Sequence, residues 1–145
     1  MNRMQTQVLE FHEKFGHPIG TTPSFSRPEL RARLIIEEAV EAAVGMVGSE
    51  GALELLKDKL VELSAAPPEA PNFIEAIDGI GDSLYVQFGA AIEFGVDIAP
   101  IFDEIHRANM AKEGGATRPD GKTLKPEGWQ APAILDRLVD QGYMP

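Results

Sequence analysis

Two short acidic stretches, Glu37-Glu38-Ala39-Val40-Glu41 and Asp78-Gly79-Ile80-Gly81-Asp82, carry the side chains best suited to chemistry in this chain. Each interrupts a run that otherwise reads as buried helix. At ~100° per residue, Leu30, Leu34, Glu38, Glu41 and Gly45 fall on one side, with Glu37 at its margin. The second run places Ile74, Asp78, Asp82, Tyr85, Gly89 and Ile92 together in the same way. A soluble helix keeps its carboxylates opposite the apolar stripe, so an acidic interruption of the stripe calls for a cause. Two like charges 4 Å apart repel by ~1 kcal/mol in water and by ~4 kcal/mol at an effective dielectric near 20. Four or five such groups facing one another would cost several kcal/mol, against a total stability of ~5–15 kcal/mol. Protonation, pairing with bases or a bound cation relieves that cost. No Lys or Arg interrupts either stretch, although Arg31 and Arg33 lie one or two turns upstream. A hard divalent cation with oxygen ligands, Mg²⁺ or Mn²⁺, is the simplest neutraliser.

The spacings support this. Glu38 and Glu41 are three apart and Asp78 and Asp82 four apart, so each pair shares a helix face. Competing metal chemistries fit less well. A di-iron bundle needs Glu-x-x-His pairs, and none of His12, His17 and His106 has a Glu three residues before it. There is no His-Glu-x-x-His zinc motif and no Walker-type lysine loop. Mg²⁺ binds substrate phosphates as readily as carboxylates, and Lys112, Lys122 and Lys125 can meet such phosphates with positive charge. The residues thus suggest a metal-dependent phosphoryl or nucleotidyl hydrolase, in which a cation activates water and cations hold the leaving pyrophosphate.

The elements that must position these groups read as helices. Met4, Val8, Phe11 and Phe15 mark a helix over about residues 3–15, stopped by Gly16-His17-Pro18. Ser26-Arg27-Pro28-Glu29 has the pattern of a capping box opening a second helix, which should end near Gly45 or Gly48. Leu53, Leu56, Leu60 and Leu63 line a third, amphipathic helix suited to packing against a second subunit. After the stiff Ala66–Pro71 connector, a fourth helix opens at Asn72-Phe73-Ile74-Glu75, where Glu75 reads as a cap rather than a ligand, and runs to about Phe94 with Gly95 as its stop. Asp97 caps a fifth, whose face Ile98-Phe102-Ile105-Asn109-Lys112 turns from apolar to polar. Residues 113–130 form a basic, turn-rich loop or tail with Arg118, Lys122 and Lys125, and a short helix follows over about residues 133–140. No β pattern of any length is present, so the class is all-α, in a single domain spanning 1–145.

Composition sets the outer limits. The 145 residues carry a formal charge of −10 and 43% hydrophobic residues, with a pI near 4.7. That acidity argues against coating a nucleic-acid polymer. The absence of cysteine excludes disulfides, thiolate metal sites and Cys nucleophiles. No apolar run approaches membrane-spanning length and the start lacks a signal-peptide core, so a cytoplasmic protein with no membrane partner is expected.

Four motifs occur in order: Glu37-Glu38-x-x-Glu41; Asp78-x-x-x-Asp82-Ser83-Leu84-Tyr85-Val86; His106-Arg107-Ala108-Asn109-Met110-x-Lys112; and Gly121-Lys122-x-x-Lys125-Pro126-x-Gly128-Trp129. In this order they resemble the all-α nucleoside triphosphate pyrophosphohydrolase superfamily of MazG and phosphoribosyl-ATP pyrophosphohydrolase, and most of all its MazG-like dUTPase branch in bacteria and phages. The resemblance implies a bundle of about five to six helices completed by dimerisation, as a homodimer or dimer of dimers. It implies Mg²⁺ or Mn²⁺ as cofactor and cleavage of a nucleotide, with dUTP or a non-standard one among the candidates, to monophosphate and pyrophosphate in a house-cleaning role. By position it implies Glu38, Glu41 and Asp82 as metal ligands and Glu37 as a carboxylate that holds a further metal or helps activate water. The family's second pair is Glu-x-x-Asp; here Gly79 lies three before Asp82, and Asp78, four before, stands in from a similar direction. Asn109 and Lys112 match contacts to sugar and phosphates, and Lys122 and Lys125 resemble phosphate-facing tail residues. Tyr85 either borders the sugar or is core. Two alternatives remain: phosphoribosyl-ATP hydrolysis, and a non-catalytic helical dimer that acts as a binding module.

Overall fold

A computed structural model describes residues 1–67, 69–119 and 122–145. Five α-helices follow in order: α1 (Arg3–Phe15), α2 (Pro28–Ala65), α3 (Phe73–Glu93), α4 (Ile98–Met110) and α5 (Ile134–Val139). The all-α expectation holds among the described residues. No single one of these helices is long and apolar enough to cross a membrane. The residues divide into two compact units, one of Met1–Pro23 with Ile74–Pro145 and the other of Ser24–Phe73.

In the first unit α4 is the central element. Asp97 caps it, its carboxylate accepting the Ala99 N–H at 3.0 Å, and α3 hands over to it through a bend of 118°. Ile101 and Ala108, both buried, lie seven residues apart on its inward face. Helix α1 lies along α4 in parallel. Gln7 donates to Asp103 at 2.9 Å, His106 Nε2 lies 3.4 Å from Glu10, and Lys14 donates to the Met110 carbonyl at 3.0 Å. Arg3 pairs with Asp103 as well. These bonds advance along both chains together, which fixes the direction and register. Helix α1 begins at Asn2, whose side chain accepts the Gln5 N–H, and ends at Gly16 in the left-handed region that glycine favours. Helix α5 runs antiparallel to α4, tied at one end by Gln141 to Asp97 and at the other by Ala133 to Glu104.

The second unit is almost wholly α2. The expected second and third helices are joined in one element of 38 residues, broken at Gly48, whose φ of 74° and ψ of 171° lie outside the helical region. Glycine there permits a kink where it was expected to end the helix. The capping box is not formed either. Arg27 occupies the N-cap in a left-handed conformation, with no side-chain cap bond, and is the one described non-glycine residue with positive φ. The leucine stripe of the second segment is unpacked: Leu53, Leu56, Leu60 and Leu63 are all exposed.

The basic segment after α4 also departs from a plain solvated loop. Thr117 and Thr123 form an isolated antiparallel bridge, with Arg118 N–H donating to the Lys122 carbonyl at 2.9 Å and Leu124 N–H to that of Ala116 at 2.8 Å. Thr123 is buried, 8% exposed, with its hydroxyl 3.4 Å from His17 Nε2. A single bridge between polar residues leaves no alternating apolar pattern to read in the sequence.

Candidate active site

The carboxylates sit on helical faces whose apolar neighbours are open to solvent. In the second unit Glu38 and Glu41 are exposed on adjacent turns of α2, with exposed Ile35, Ile36 and Val44 nearby along the helix. Glu37 is the half-buried member, in register with half-buried Leu30, Leu34 and Val40. The covered face of α2 is therefore rotated by about one residue from the expected one, which had Glu38 and Glu41 inward and Glu37 marginal. Upstream, burial and the neighbouring Arg27 push the Arg31 guanidinium below its ordinary value.

In the first unit Asp78 and Asp82 are exposed on α3, four residues apart and so on one face. Tyr85 lies on the same face, 81% exposed, as do Ile74 at 77% and Ile92 at 78%. Among the described residues Glu38, Glu41, Asp78 and Asp82 form no ion pair with a Lys or Arg. The described residues also gather no three His, Asp or Glu side chains into a group that could hold a metal ion. Glu38 with Glu41, and Asp78 with Asp82, come as helix-spaced pairs with oxygen donors only and no ion pair to a Lys or Arg among the described residues. That donor chemistry fits a hard divalent cation, which takes carboxylate oxygens and completes its shell with water and phosphate.

Two of the polar residues expected to meet substrate lie at the end of α4 and just beyond it. Asn109 and Lys112 are half-buried there, and the Lys112 carbonyl accepts the Gly115 N–H at 3.0 Å. Gly115 packs so closely that a Cβ would collide with the Leu124 carbonyl. Lys122 is half-buried in the antiparallel pairing and Lys125 is exposed just beyond it. Gly121, part of the expected motif, lies outside the described residues.

Two further residues organise this end of the helix. Trp129 Nε1 donates to the Ala108 carbonyl at 2.7 Å, and the Lys125 ammonium lies 4.4 Å from the centre of its ring. Glu104, with its side chain 14% exposed, accepts from Arg107 Nη2 at 2.6 Å and Nε at 2.9 Å, and from the Ala133 N–H at 3.0 Å. The Arg107 bond, and then that of Ala133, hold the Glu104 carboxyl down to about 2. Gly128-Trp129 was visible as part of a motif, but its docking onto α4 has no signal in residue spacing. Nothing in the residue spacing distinguishes Glu104 from an ordinary helix-surface charge.

A crystal structure of a candidate NTP pyrophosphohydrolase from Exiguobacterium sp. 255-15, at 1.78 Å resolution, superposes with a TM-score of 0.77. It is 28% identical in sequence, over 97% of this chain and 96% of that one. The chain thus has the MazG-like all-α fold. The phosphoribosyl-ATP pyrophosphohydrolase family profile matches residues 8–109, and the chain belongs to that family. It is accordingly a pyrophosphohydrolase enzyme, which sets aside the non-catalytic reading. No curated protein matches the chain in sequence.

Proposed function

We propose that the protein is a Mg²⁺- or Mn²⁺-dependent nucleoside triphosphate pyrophosphohydrolase, which converts a (d)NTP to the monophosphate and pyrophosphate. The observation that carries this reading is the pair of base-free carboxylate groups, Glu38 with Glu41 and Asp78 with Asp82, on helices that also expose apolar residues such as Ile36 and Ile92. Glu38, Glu41, Asp78 and Asp82 would hold the cation. When bound it supplies charge neutralisation at the phosphates and acidifies a coordinated water. Glu37 takes the proton of the attacking water. The water oxygen bonds to the α-phosphorus, the bond from that phosphorus to the bridging oxygen breaks, and pyrophosphate leaves with the electron pair. Lys112, Lys122 and Lys125 hold the polyphosphate and the leaving group, and Asn109 and Tyr85 orient the sugar. The superfamily resemblance favours dUTP or a non-standard nucleotide and a house-cleaning role.

A second copy of the chain completes the fold in this reading, as a homodimer or dimer of dimers. Among the described residues only Ala52, Ile101 and Ala108 are buried apolar groups, whereas Leu60, Val61, Leu63, Val86 and Ile92 are exposed. A 150-residue domain ordinarily buries ~70% of the surface of its unfolded chain. Apolar faces this extensive mark an interaction surface.

Phosphoribosyl-ATP is the second substrate reading, favoured by the family profile over residues 8–109. A panel of dUTP, the ordinary dNTPs and NTPs, and phosphoribosyl-ATP with Mg²⁺ decides between them. Pyrophosphate should appear in one step from the preferred substrate. Stepwise release of single phosphates, or no release from any of these, rejects the reading.

A further inference from the structure

The chain that follows α4 folds back onto it at two points. Glu104 takes the Ala133 N–H and the Ala108 carbonyl takes the Trp129 indole N–H, about one turn apart along the helix. Just beyond the helix end the Lys112 carbonyl takes the Gly115 N–H in a tight turn. Asn109 follows Ala108 directly. Lys125 has a different kind of support. It is exposed, and the contact that places its ammonium is with the Trp129 ring, at 4.4 Å. An ammonium at that distance lies within the range of cation–π attraction, for which indole is the best partner. A free lysine side chain samples many rotamers, and each phosphate contact it makes must repay that lost freedom. A lysine already resting on a fixed ring gives up less.

We infer that Trp129 is a positioning residue for the nucleotide polyphosphate, its docked indole holding the Lys125 ammonium beside the Asn109–Lys112 turn before substrate arrives. The inference rests on the function proposed above and extends it to a residue that touches no substrate. Trp129 acts on binding, through Lys125, and leaves the reacting atoms alone. Its removal raises KM and spares kcat.

The test is a double-variant cycle, on full-length protein with Mg²⁺ and the preferred nucleotide, reading KM and kcat from pyrophosphate release. W129A should raise KM about two- to fivefold, the worth of an exposed cation–π contact, with kcat within twofold of wild type. K125A should raise KM at least as much. The double variant should be no worse than K125A alone, because the tryptophan acts through the lysine. W129F keeps a ring but loses the indole N–H that docks it on Ala108, and its KM should fall between those of wild type and W129A. An unchanged KM in W129A, or a full additional KM rise in the double variant, overturns the inference alone. Wild-type protein that releases pyrophosphate from no nucleotide overturns the proposed function and this inference with it.

Discussion

Replacing Asp82 with Asn separates a metal ligand from an ordinary surface charge, because stability and turnover should move in opposite directions. Asp78 and Asp82 stand four residues apart on α3, exposed and without a basic partner among the described residues. Like charges at this spacing cost a helix about 0.2–0.5 kcal/mol, kept small by solvent and salt. Asp and Asn have similar helix propensities, so little else changes. In EDTA the variant should therefore melt about 1–2 °C higher than wild type. A cation that binds only the folded state, at 100 times its Kd, adds about 2.7 kcal/mol, equivalent to a rise of about 6–10 °C in the wild type. The variant should lose most of that gain and release little pyrophosphate. Thermal unfolding with EDTA, then with Mg²⁺ or Mn²⁺, reads both effects. A variant that melts lower than wild type in EDTA, or that keeps the full ion-dependent gain, refutes the assignment of this face.

Three further outcomes follow from the described contacts. The Glu104 carboxyl is held down to about 2 against an ordinary 4.5, so its contribution is present above about pH 4.5 and fades as pH falls toward about 2; E104Q should lower Tm at neutral pH and flatten the loss of Tm across that window. G115A places a methyl group against the Leu124 carbonyl and should cost about 1–3 kcal/mol in denaturant unfolding while speeding tryptic cleavage after Lys122. L60E changes an exposed residue, so the protomer's own stability should shift by less than about 0.5 kcal/mol, and sedimentation should show a smaller species than wild type; an unchanged species removes Leu60 from the subunit contact.

Helix positions were readable wherever a local device ends them. Asp97 caps α4, Gly16 stops α1 and Gly95 follows α3, each as composition and periodicity imply. Devices with two outcomes misled. Gly48 kinks a continuing helix instead of ending it, and Ser26-x-x-Glu29 yields its place to Arg27 in a left-handed turn. The helical spacing of the carboxylates was legible in the sequence, but their facing was not. Apolar residues surround α2 on every side, Ile35, Ile36, Val40 and Val44 among them, so periodicity alone does not say which face is covered. Glu37 occupies the half-buried register and Glu38 and Glu41 the open one. Contacts far apart in sequence, such as Trp129 on Ala108 and Thr123 near His17, leave no local pattern.

Pyrophosphate release by wild-type protein, E38Q and D82N, with the preferred nucleotide and saturating Mg²⁺, tests the central claim most directly. Wild type should yield one pyrophosphate per monophosphate, with each variant slowed by at least about 100-fold while remaining as helical as the parent. Release by both variants at the wild-type rate would contradict it.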